Sequence, residues 1–127
     1  MDADVVASTA FDRVPGALLA GVVDMTTGMF LSLKAGGASP EEIDLLAVSA
    51  REVFDGYLGA GLRQSFIEAR DQQQLTEVIV IGNKTVFVFA RMFRSEDAAI
   101  VVACDKKTNL GMITMVIAKL RDSAELA

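Results

Sequence analysis

Two stretches of this chain, residues 17–23 and 98–104, carry no charged or strongly polar side chain, and each closes on an aspartate. A strand built from either has no face to show to water. The sheet that holds them must be covered on both sides, by helices or by a partner. Neither run approaches the ~20 residues needed to cross a bilayer, so they read as core strands rather than membrane spans.

The segments between them follow. Pro15-Gly16 punctuates before the first run, and Asp24 to Gly28 forms a short loop, with Gly28 suited to positive φ. The return strand alternates, Met29, Leu31 and Leu33 on one side and Phe30, Ser32 and Lys34 on the other. This is a hairpin. Gly36-Gly37-Ala38 ends it, and Ser39-Pro40-Glu41-Glu42 opens a helix, Ser39 capping, Pro40 in the first turn and Glu42 completing a capping box. Ile43, Leu46, Ala50, Val53, Phe54, Tyr57 and Leu58 recur at helical spacing. Gly56, Gly59 and Gly61 either end or bend this helix or let another helix pack closely. Residues 62–74 extend it or form a polar connection.

Three strands come next, at 75–81, 85–93 and 98–104, separated by Gly82-Asn83 and by the polar residues 94–97. In the second, Phe87, Phe89 and Phe93 lie opposite Val86, Val88 and Met92. A last helix begins after a Thr108 or Asn109 cap, with Leu110, Ile113, Ile117, Leu120 and Ala124 as its buried stripe. The order is β-β-α-β-β-β-α, in one α+β domain over residues 15–127. Residues 1–14 are a short, partly ordered segment in which Val5, Val6 and Phe11 form one turn or lie in a groove.

Composition narrows the function. Twelve Lys+Arg against 17 Asp+Glu give a net charge of −5, which argues against a nucleic-acid partner because phosphate binding needs a basic stripe. The absence of histidine removes the usual base near neutral pH and the commonest transition-metal ligand. Cys104 stands alone, which excludes a disulfide framework and suits an intracellular protein, and the acidic start MDADVVAST is no secretory signal. Hydrophobic residues at 52% point to a buried partner surface, most simply an oligomer interface.

No catalytic set assembles. Gly82-Asn83-Lys84-Thr85 echoes a phosphate-binding loop, but Glu77 stands where the leading glycine belongs and a strand follows. Gly59-Ala60-Gly61 does not follow a strand, as a dinucleotide loop would. Asp24 and Asp105 invite an acid pair or Mg²⁺, yet both sit where aspartate begins turns. Cys104 lacks an activating base and reads as a small hydrophobe. Met112 and Met115 are either packing residues or an adaptable contact surface. The expectation is a protein that is not an enzyme, with no catalytic, cofactor-binding or metal-binding residue.

The hairpin VVDMTTG, the glycine-bearing helix, the three strands and the closing segment DKKTNLGMITMVIAKLRDSAEL together resemble the Roadblock/dynein light chain 7 family. The clearest part is Thr108-Asn109-Leu110-Gly111 opening a helix with Ile113, Ile117 and Leu120. The resemblance implies a profilin-like, five-stranded antiparallel sheet with the long helix on one face and the terminal helix on the other. The family's N-terminal helix is expected to be short or missing, leaving its face barer or covered by a partner.

The resemblance also implies a homodimer, formed by pairing the edge strand 75–81 with its copy and packing helix 39–58 antiparallel to its copy. Mapped here, the dimer interface comprises Leu75, Glu77, Val78, Ile79, Val80, Ile81, Val53 and Tyr57. The implied function is a cytoplasmic, bacterial-type, non-enzymatic module that binds, scaffolds or regulates a Ras-like small GTPase, with no nucleic acid, membrane or cofactor. Its docking residues are Glu42, Asp44, Arg51, Glu52 and Asp55, beside Glu41. Arg51 is open to service as an arginine finger or as a surface ion-pair member. Alternatives are a small-molecule sensor, a metal enzyme resting on Asp24 and Asp105, and a purely structural scaffold subunit.

Overall fold

The computed structural model describes residues 2–62, 75–93 and 95–123. Chain order is α1 (Ala3–Arg13), β1 (Ala17–Asp24), β2 (Met29–Ala35), α2 (Pro40–Asp55), α3 (Tyr57–Leu62), β3 (Glu77–Ile81), β4 (Thr85–Met92), β5 (Ser95–Asp105) and α4 (Leu110–Ser123). The five strands form one antiparallel sheet in the order β2-β1-β5-β4-β3. From β1 onward the expected elements and their order are present, with the short α3 added.

The two apolar runs are the central strands. Alternate residues of each serve different cores: Leu19, Val23, Ala99, Val101 and Ala103 face α2, while Ala20, Val22, Ile100, Val102 and Cys104 face α1 and α4. α2 contributes Ala47, Ala50 and Phe54 to the first core, and α4 contributes Ile113, Ile117 and Leu120 to the second. The chain therefore has helices on both faces of its sheet.

Residues 1–14 depart from expectation. In place of a short or missing helix, α1 is an 11-residue helix whose Asp2 cap accepts the Val5 N–H at 2.9 Å. Val6, Ala10 and Val14 follow one another at helical spacing and are buried beside α4, and Ser32 of β2 donates its hydroxyl to Asp4. The face expected to be barer is thus covered by the chain itself. The signal was weak because α1 buries mostly small residues: its buried positions are Val6, Ala7 and Ala10.

β2 also departs from simple alternation. Val22 pairs with Ser32 but Val23 pairs with Phe30, so Leu31 bulges out of register. The bulge moves Phe30 away from the side of Ser32 and onto the α2 side with Leu33. There the Phe30 ring lies across Gly21, where an added Cβ would come 2.5 Å from it. Phe93 likewise leaves the side of Phe87 and Phe89, because β4 ends at Met92, after an irregularity in its register. Its ring instead meets Arg121 of α4.

α2 starts as the sequence indicates. Ser39 Oγ accepts from the Glu42 N–H at 3.2 Å, and Glu42 Oε1 accepts from the Ser39 N–H at 3.1 Å. The helix stops at Gly56, and α3 follows after this break. Whether it continues into 63–74 lies outside the described residues, as does Ala124. At the other junction, Asn109 Oδ1 accepts the Gly111 N–H at 2.8 Å, and Thr108 Oγ1 donates to the Pro15 carbonyl at 2.8 Å. The Thr-Asn-Leu-Gly segment thus caps α4 and ties it to the α1–β1 turn.

Replacing Gly21 with Ala is expected to cost about 1–3 kcal/mol in urea unfolding, the usual cost of overpacking. Phe30→Leu in the same chain should recover part of that loss, and additive costs would show that the ring is not the obstruction. Ser39→Ala should cost about 1 kcal/mol through the lost cap. The Ser39 backbone N–H, then its hydroxyl, hold the Glu42 carboxyl below its usual pKa. A depressed carboxyl stabilises above its unfolded pKa and ceases to do so as pH falls through the folded one. The stability difference between wild type and Glu42→Gln should accordingly be full near neutrality and close through the acid carboxylate range.

Candidate interaction surface

β3 closes one edge of the sheet and hydrogen-bonds to β4. Its register sets Val78 opposite Phe89 and Val80 opposite Phe87, on the α2 side. Ile79 and Ile81 stand opposite Val88 and Val86, on the α4 side. Ile79, Val80 and Ile81 are all exposed, Ile81 by 60%. An edge strand this apolar is a template for another strand.

α2 borders the same edge. Its outward stripe carries Leu45 and Val48, exposed by 66% and 59%, among the exposed charges of Glu41, Asp44, Arg51, Glu52 and Asp55. Between α2 and β3 runs an apolar groove of about 340 Å³, walled by Leu45, Leu46 and Val53 from the helix and by Val80, Phe87 and Phe89 from the sheet. Helix, groove and open edge form one continuous surface.

The expected interface residues are divided by this geometry. Val53 and Val80 line the groove, and Val78 packs on the α2-side core. Ile79 and Ile81 lie across the sheet from them. Leu75 precedes β3 and packs partly into the α2-side core, and Glu77 turns its carboxylate toward Arg121. Tyr57 opens α3, and its side chain lies outside the described residues.

The expected docking residues fall at two ends of α2, about 20 Å apart at 1.5 Å per residue. Glu42 is engaged in the capping box, and Asp44 is exposed two residues along. Arg51, Glu52 and Asp55 line a recess of about 230 Å³ with Val48 and with Thr27 and Gly28 of the β1–β2 turn. Asp55 also pairs with Arg91 at 2.8 Å.

Arg91 and Arg121 were not anticipated. Arg91 leaves β4 on the α2 side, where its guanidinium lies 4.7 Å from the Phe54 ring centre and Nε donates to the Leu75 carbonyl at 3.1 Å. Arg121 is buried at the end of α4, 4.0 Å from the Phe93 ring centre. Burial lowers its pKa, with Glu77 and then Asp122 opposing, but a guanidinium stays charged through such a shift. A signal did exist: Arg91 interrupts the apolar run Phe87-Val88-Phe89-Ala90, and Arg121 follows Ile117 at helical spacing.

The remaining candidates have local duties. Asp24 Oδ1 accepts from the Thr26 N–H and Asp105 Oδ1 from the Lys107 N–H, at 2.9 and 2.8 Å. They lie at opposite ends of the sheet, so they make no acid pair. Among the described residues, no group of three Cys, Asp or Glu is placed to hold a metal. Nor, among them, is any helix long and apolar enough to cross a membrane. Cys104 is buried, and that burial, then Asp105, raises its thiol pKa. Met112 and Met115 are exposed on α4 by 43% and 51%.

Solved structures share this arrangement. The Roadblock/LC7 domain from Streptomyces avermitilis superposes with a TM-score of 0.76 at 20% identity, covering 97% of this chain and 94% of that one. Myxococcus xanthus MglB gives 0.72 at 18% identity, covering 94% and 88%. Profilin II of Acanthamoeba castellanii gives 0.62 at 13% identity, covering 94% and 93%. The architecture is therefore profilin-like. More narrowly, the fold is that of Roadblock/LC7 domains. No family model matches the sequence, and no curated protein matches it.

Burial and a raised pKa both withhold thiolate from Cys104. Its labelling by a disulfide reagent is expected to be slow in the native protein and to speed up with urea in step with unfolding. Rapid labelling under native conditions would show that the β5 end opens locally.

Proposed function

We propose that this chain is a Roadblock/LC7 protein that forms a homodimer through β3 and α2, and that the dimer binds a Ras-like small GTPase as a non-enzymatic regulator or scaffold. One observation carries the reading: the open, apolar edge of β3 and the exposed Leu45–Val48 stripe of α2 share one surface with a groove between them. Antiparallel pairing of β3 with its copy satisfies the edge and continues the sheet across both copies. The same approach brings two α2 helices together, so that Leu45 and Val48 of each copy are covered. MglB, one of the similar folds, is known with a tetrameric arrangement, which supports self-association.

A GTPase would meet the charged residues that remain around the paired helices, Glu41, Asp44, Arg51 and Glu52 among them. Such a surface acts by holding the partner's switch segments in one arrangement, which is positioning rather than chemistry. A bacterial, cytoplasmic setting accords with the family resemblance. The groove also favours a second reading, a sensor of a small apolar ligand, since its volume falls at the lower end of the range for ligand pockets.

Ile79→Glu with Val80→Glu places a charge on each side of the edge and is expected to give monomer or insoluble protein in sedimentation equilibrium. A well-behaved dimer carrying both changes would rule out this interface. Pull-down from native lysate, run in parallel with a GTP analogue and with GDP, tests the partner. Retention of a Ras-like GTPase mainly with the analogue marks a nucleotide-sensing regulator, and equal retention marks a scaffold. If no GTPase is retained and an apolar metabolite gives a saturable thermal shift at unchanged oligomeric state, the sensor reading replaces it.

A further inference from the structure

The start of β3 is held from both faces of the sheet. On the α2 side, Arg91 bonds the Leu75 carbonyl through Nε and Asp55 through Nη2, at 3.1 and 2.8 Å. On the α4 side, Arg121 donates from Nη2 to the Thr76 carbonyl at 3.0 Å and brings Nη1 to 3.4 Å from Glu77 Oε2. Its Nε anchors the same group to the Arg91 carbonyl at 2.6 Å. The consecutive residues Leu75, Thr76 and Glu77 are thus each bound by a guanidinium.

Net stability is a poor explanation for the α4-side grip. Arg121 is only 5% exposed, and Glu77 Oε1 is buried without a hydrogen-bond partner among the described residues. Arg121 is buried, while Glu77 keeps 30% of its side chain exposed; apolar side chains often match charge pairs withdrawn from water, and the best-attested use of such groups is to fix register. Register is what β3 needs. It is a strand of 5 residues at the edge of the sheet, and a slip of one residue would exchange Val78 and Val80 with Ile79 and Ile81 between faces.

We propose that Arg121 is a positioning residue for the β3 edge: acting from α4 through Thr76 and Glu77, it fixes the strand in one register for pairing with a second copy of this chain. The pairing half of this statement rests on the homodimer reading above; the ordering of β3 does not. Arg91 supplies the matching hold from the α2 side, so the edge is set by both helical layers before any partner arrives. A pre-set edge has less ordering entropy to lose on association.

The test compares the full chain with the double variant Arg121→Met, Glu77→Met and with Arg121→Lys. Hydrogen exchange is read at the β3 amides that bond β4, and self-association is read by sedimentation equilibrium. The double variant replaces both charges together, so its urea midpoint is expected to stay near the wild-type value. Its β3 amides should exchange at least tenfold faster, with β4 and β5 unchanged, and its dimer should dissociate at least tenfold more readily. Arg121→Lys, which keeps the charge but loses the fork, should fall between the two.

Exchange at β3 within twofold of wild type in both variants would overturn the proposal. So would an equal rise across β4 and β5, which would make Arg121 an ordinary structural contact. If the double variant does not fold, the β3 exchange of Arg121→Lys decides by the same two criteria. If the wild type sediments as a monomer at every concentration, the homodimer reading fails, and β3 exchange still decides whether Arg121 orders the edge.

Discussion

The structure depends on the burial of β1 and β5 from both sides. Ala20, Val22, Val23, Ile100, Val101 and Val102 have no exposed surface. Each strand alternates between two cores, and both must be filled. α2 fills one and α4 fills part of the other. The remainder falls to α1, whose Val6, Ala10 and Val14 close the layer beside α4. With the centre sealed in this way, the unfinished surface is displaced to the edges, and the β3 edge is the more apolar in its last three residues. The β2 edge also exposes apolar residues, Met29 and Leu31, but only the β3 edge adjoins the groove beside α2.

The sequence shows most clearly those elements whose determinants are local and large. The capping box at Ser39, the Asn109 cap, the all-apolar strands and the Ile113, Ile117, Leu120 stripe each depend on residues near one another in the chain. What it conceals depends on distant neighbours. α1 has a cap at Asp2, but its buried side chains are too small to give a strong apolar period, and their burial comes from packing on β1 and β2 and beside α4. The Leu31 bulge follows from Phe30 needing the space that Gly21 leaves on the adjacent strand. Periodicity within β2 cannot report a vacancy in β1.

The candidate surface divides in the same manner. Ile79, Val80 and Ile81 are legible as an apolar strand and are exposed. The polar residues of α2 are less uniform than their spacing suggests. Glu42 serves the helix start, Asp55 serves Arg91, and Asp44 is left outward at the first end of the helix. A charged side chain near a helix end often has a structural partner first, which spacing along the helix does not show. Arg91 and Arg121 show the converse. Both look like interruptions of an apolar pattern, and both turn out to bind backbone carbonyls from residues far away in the chain.

Arg91 also links the two halves of the surface. It bonds Asp55 at the end of α2 and Leu75 at the start of β3, while Arg121 bonds the Arg91 carbonyl from the opposite layer. Movement of the α2 C-terminus would therefore reach β3 through the Arg91 side chain as well as through the packing of Val53, Leu75 and Val78 in the α2-side core. A partner seated on α2 and a copy paired to β3 would draw on the same guanidinium. If Asp55 were pulled toward a cation of the partner, Arg91 would lose an anchor on the helix but keep its bond to the strand. The edge would then depend more heavily on Arg121. The end of the helix and the start of the edge strand are in this sense anchored to one hydrogen-bonded cluster, Asp55, Arg91, Leu75 and Arg121.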